Sequence, residues 1–130
     1  MTGIVIREVI GVYNADGSWR GELAYAFGKL TGSAHCALCD ITHGVLRRRP
    51  SFDAACARLG VPVTLLHRDE RPADVVTITG DDTPMVLGRT DDGLLVLLTA
   101  EELDRCGADP DALVAAIEAS IAVQGAQLAS

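Results

Sequence analysis

Thr83-Pro84-Met85-Val86-Leu87-Gly88-Arg89-Thr90-Asp91-Asp92-Gly93-Leu94-Leu95-Val96-Leu97-Leu98 is the stretch whose reading decides the fold. Two apolar runs, Met85 to Arg89 and Leu94 to Leu98, flank the turn signal Thr90-Asp91-Asp92-Gly93. That pattern predicts an antiparallel β-hairpin. Beyond it, Thr99-Ala100-Glu101-Glu102 reads as a capping box and Gly107 as the stop of a short helix. Asp109 then Pro110 starts a second helix with Leu113, Ile117 and Ile121 on one stripe. Cys106 lies between the two helices and reads as structural.

Working back from the hairpin, Val75 to Thr79 reads as a short strand and Val61 to His67 as a buried one. Residues 51–59 read as a helix capped by Ser51, with Phe52, Ala55, Cys56 and Leu59 at helical spacing and Gly60 as its end. Cys56 falls on the buried stripe and reads as a core residue. Trp19, Leu23, Phe27 and Leu30 fit a helical stripe, while Leu23, Tyr25 and Phe27 also fit a strand alternation; the three-turn span and Gly32 after it favour the helix. Ile4 to Tyr13 is rich in β-branched residues and reads as one strand ending at Asn14-Ala15-Asp16-Gly17. The order predicts an α/β fold, a central sheet with helices on its faces. Residues 1–124 read as a single domain, with 125–130 as a candidate flexible tail.

The 130 residues carry a formal net charge of -7. An acidic balance argues against nucleic acid and anionic membranes as partners. The basic run Arg47-Arg48-Arg49 reads as a solvated face. No run is long enough to span a membrane, and the N-terminus lacks the pattern of a signal peptide, so the expected address is the cytoplasm. There, a cysteine pair serves catalysis or metal binding more often than a structural bridge.

That expectation gives weight to His35-Cys36-Ala37-Leu38-Cys39-Asp40-Ile41-Thr42-His43. On a helix, Cys36, Cys39 and His43 share one stripe, while Leu38, Ile41 and Val45 form another, nearly opposite. Two chemistries suit the first stripe. In thiol-disulfide exchange, a helix N-terminus favours the Cys36 thiolate as nucleophile and Cys39 resolves the mixed disulfide. No cofactor is needed. In metal ligation, Cys36, Cys39 and His43 bind zinc or another transition metal, with His35 or His67 as the fourth ligand. Asp40 and His35 stand beside the pair, able to accept a proton or orient a ligand. A third reading is a protein-interaction module with incidental cysteines. Phosphate loops, dinucleotide fingerprints and nucleophilic serine motifs are absent from the sequence.

Cys36-Ala37-Leu38-Cys39 opening a helix, the strand Val63 to Leu66 after it, and Thr83-Pro84 ahead of a hairpin and C-terminal helix resemble the thioredoxin-like superfamily. Pro84 stands 48 positions after Cys36. The resemblance covers residues 36–122, with Ile4 to Tyr13 as the first strand. It implies a central mixed sheet flanked by helices. It also implies a cis-proline at Pro84 that shapes, with Thr83, a substrate groove beside the cysteines. An extended insertion of 22 residues, Asn14 to His35, precedes the Cys-x-x-Cys helix. The implied activity is thiol-disulfide oxidoreductase or redox sensor, with a protein thiol or disulfide, or a small thiol, as partner.

Overall fold

The computed structural model describes residues 3–14, 50–107 and 109–129. The elements are β1 (Ile4–Ile6), β2 (Glu8–Val12), α1 (Pro50–Ala57), β3 (Val63–Leu66), a 3-10 turn (Arg68–Glu70), α2 (Ala73–Thr79), β4 (Met85–Thr90), β5 (Gly93–Leu98), α3 (Ala100–Asp104), α4 (Pro110–Val123) and β6 (Ala126–Leu128). This is an α/β architecture with a mixed sheet flanked by helices.

The main sheet has the order β3-β2-β4-β5. β2 is central. It pairs parallel with β3 and antiparallel with β4, with Val12 opposite Leu66 on one side and Met85 on the other. The expected hairpin is present: β4 and β5 are antiparallel, Thr90 lies opposite Gly93, and Asp91-Asp92 makes the two-residue loop. Gly93 takes a φ of 135°, which a side chain would resist.

Alternation along the strands sends their residues to two cores. Val9, Val86 and Leu97 pack with Phe52, Ala55, Cys56 and Leu59 around α1, and with Leu113, Val114, Ile117 and Ile121 of α4. Ile10, Val12, Met85 and Leu87 pack with Val75 of α2 on the opposite face. The C-terminal helices keep their predicted caps. Thr99 Oγ1 accepts from the Glu102 N–H, and Asp109 accepts from the Asp111 N–H ahead of Pro110.

Five details differ from the sequence reading. Val75 to Thr79 is helical. Its β-branched composition suggested a strand, but Val75 and Thr79 are the buried pair, one helical turn apart, with Ile78 half-buried beside them. Tertiary packing against the sheet outweighs the weak local preference. The single strand Ile4 to Tyr13 is two, because Arg7 turns out of the first pairing and its N–H bonds Arg89 O at 2.8 Å. The strand Val61 to His67 shortens to β3, and its residues are half-buried; among the described residues it is the outermost strand of the sheet. Ser51 lies inside α1, which begins at Pro50, a residue suited to the first turn. The stretch after Gly125 carries β6, which pairs parallel with β1; Ile6 O accepts from the Ala129 N–H. The helix expected over residues 19–30 and the run Arg47-Arg48-Arg49 lie outside the described residues.

Candidate functional site

The register of the central strands gathers one group of residues at one end of the sheet. Val12 is opposite both Leu66 and Met85. One step beyond on each strand stand Tyr13, His67 and Pro84. In open α/β sheets, the carboxyl end of the parallel strands is where ligands bind, because the loops there diverge. Here that end belongs to β2 and β3.

Tyr13 is buried, and its N–H bonds Leu66 O at 2.8 Å, extending the pairing past β2. Its ring meets the His67 imidazole at a centroid distance of 5.0 Å and a tilt of 49°. Glu70 Oε1 receives the His67 backbone N–H at 2.7 Å and lies 2.8 Å from His67 Nδ1. One carboxylate oxygen thus holds both the backbone and the ring. The bond from the backbone N–H, then that from the ring, pulls the Glu70 carboxyl below its ordinary range. With its proton on Nδ1 facing Glu70, a neutral His67 ring presents Nε2 as the acceptor.

Thr83 and Pro84 close the other side. Both are buried, and the peptide between them is cis. Thr83 Oγ1 donates to Asn14 Oδ1 at 2.9 Å, tying the entrance of β4 to the exit of β2. Behind His67, Arg71 braces the connection to α2. Its Nε donates to Arg68 O at 2.8 Å, and its Nη1 to Thr79 Oγ1 at 2.9 Å and Gly80 O at 2.8 Å.

The structure therefore places three of the residues singled out from sequence at one end of the sheet: His67 on the β3 side of β2, and Thr83 and Pro84 on the β4 side. Cys36, Cys39 and His43, and the neighbouring His35 and Asp40, lie outside the described residues. Among the described residues no three His, Cys, Asp or Glu side chains gather as a metal site. Tyr13, Asn14 and Glu70 belong to the cluster without having been singled out. The signal for Glu70 was its place three residues after His67, a spacing that lets a side chain reach back across one turn. Tyr13 and Asn14 carried no comparable signal, since their role depends on strand order.

The two described cysteines stand elsewhere. Both are buried in the core under α1, α3 and α4. Burial, then the Asp109 and Glu102 carboxylates, raise the Cys106 thiol above its usual range, so it stays protonated at neutral pH. Its Sγ lies 3.6 Å from Glu102 O, a helical back-bond. This fits the structural role expected for it. No helix among the described residues is long and apolar enough to cross a membrane. Comparison of the chain with protein-family models, curated proteins and solved structures matched nothing.

Proposed function

We propose that this protein is a thiol-disulfide oxidoreductase or thiol redox sensor on a thioredoxin-like fold, with Cys36 as nucleophile and Cys39 as resolving thiol. The observation that carries the reading is the Asn14–Thr83 bond at the carboxyl end of β2. Asn14 opens the 22-residue stretch that precedes Cys36 in the sequence. Thr83 and Pro84, the residues expected to border a substrate groove, stand at that same point. The order of elements supports the reading as well: β2, then beyond the cysteines in sequence α1, the parallel strand β3, α2, Thr83-Pro84, the β4–β5 hairpin, and the C-terminal helices.

The chemistry needs no cofactor. The Cys36 thiolate attacks one sulfur of a substrate disulfide, forming a mixed disulfide and releasing the other sulfur as thiolate. The Cys39 thiolate then displaces the substrate, which leaves as a dithiol after taking up two protons. The protein keeps the Cys36–Cys39 disulfide, so two electrons have passed to the substrate. A small thiol or a partner dithiol resets it by the reverse exchange.

The test is the redox state and metal content of protein purified without chelator. Metal-free protein that forms a reversible Cys36–Cys39 disulfide, and reduces a disulfide substrate through it, supports the reading. About one zinc per chain, lost in Cys36→Ala, overturns it in favour of ligation by Cys36, Cys39 and His43. Unchanged behaviour of Cys36→Ser and Cys39→Ser in every assay overturns it in favour of an interaction module.

A further inference from the structure

We draw no further inference here: the strongest candidate, the groove between β5, α3 and α4 lined by Val96, Leu98, Ala116, Ala119 and the exposed Val123, is an apolar face, and nothing among the described residues shows what covers it.

Discussion

Thr83 Oγ1 and Asn14 Oδ1 form a 2.9 Å hydrogen bond between residues 69 apart in sequence. The bond fastens the start of β4 to the end of β2, where backbone pairing between the two strands stops. Thr83 is buried, so its hydroxyl has little recourse to water. Thr83→Val keeps the shape and removes the donor, and should cost about 1 kcal/mol. Asn14→Ala combined with it should cost clearly less than the two single changes added together. Denaturant unfolding of the double-mutant cycle checks this.

Gly88 is where β1 crosses β4. A Cβ there would lie 3.2 Å from three atoms of the Ile6 side chain, which is fully buried. Gly88→Ala should therefore destabilise by about 1–3 kcal/mol through overpacking, although alanine suits a strand better than glycine. Ile6→Val removes one of the three contacting atoms, so the double variant should recover part of the loss relative to the sum. Thermal unfolding of the three variants reads the coupling.

The Glu70 carboxyl is held below its ordinary range by the His67 backbone N–H and then by the His67 ring. A depressed folded value means that the folded state favours the ionised form. The stabilisation is complete above the ordinary carboxylate value and is lost as pH falls through the folded one. Between neutral pH and about pH 3, Glu70→Gln should show a shallower loss of stability than wild type. Unfolding midpoints across that range test it; parallel curves for the two proteins would remove Glu70 from the account.

The capping box at Thr99 and Glu102 starts α3 immediately after β5. Thr99 Oγ1 accepts from the Glu102 N–H at 3.3 Å, and Glu102 Oε1 receives the Thr99 N–H at 3.1 Å. Thr99→Ala should cost about 1 kcal/mol, and Thr99→Ser much less, because serine keeps the acceptor. Urea unfolding distinguishes them.

Cys106 should resist alkylation in the folded protein. Its thiol is buried and raised above the usual range, so little thiolate exists at neutral pH. Mass spectrometry after iodoacetamide treatment should find Cys106 unmodified in native buffer and modified in denaturant. Labelling of Cys106 at the same rate in both would contradict the packing described.

Much of this fold was legible without coordinates, wherever a local rule and the packing agree. The hairpin follows from the turn residues between two apolar runs, and the C-terminal helices follow from their caps, which act within three or four residues. The stripe of α1 was readable because Phe52, Ala55 and Cys56, with Leu59 just past the helix end, all face one core. Val75 to Thr79 was not, because β-branched composition and helical burial disagree and only contact with the sheet decides between them. The division of Ile4 to Tyr13 was hidden for the same reason: Arg7 leaves one pairing to join another strand more than eighty positions away.

The candidate site divides in a similar way. From sequence came the residue types able to do thiol or metal chemistry, and the expectation that Pro84 precedes a hairpin. Strand order decided that Tyr13, His67 and Pro84 stand together at one end of the sheet, with Asn14 bonded to Thr83. No local pattern encodes that neighbourhood, because it depends on which strands pair and in what register. Hydrophobic periodicity and caps are properties of a few adjacent residues, and the sequence determined them. The Asn14–Thr83 bond and the return of β6 to β1 join distant parts of the chain, and only the tertiary structure decided them.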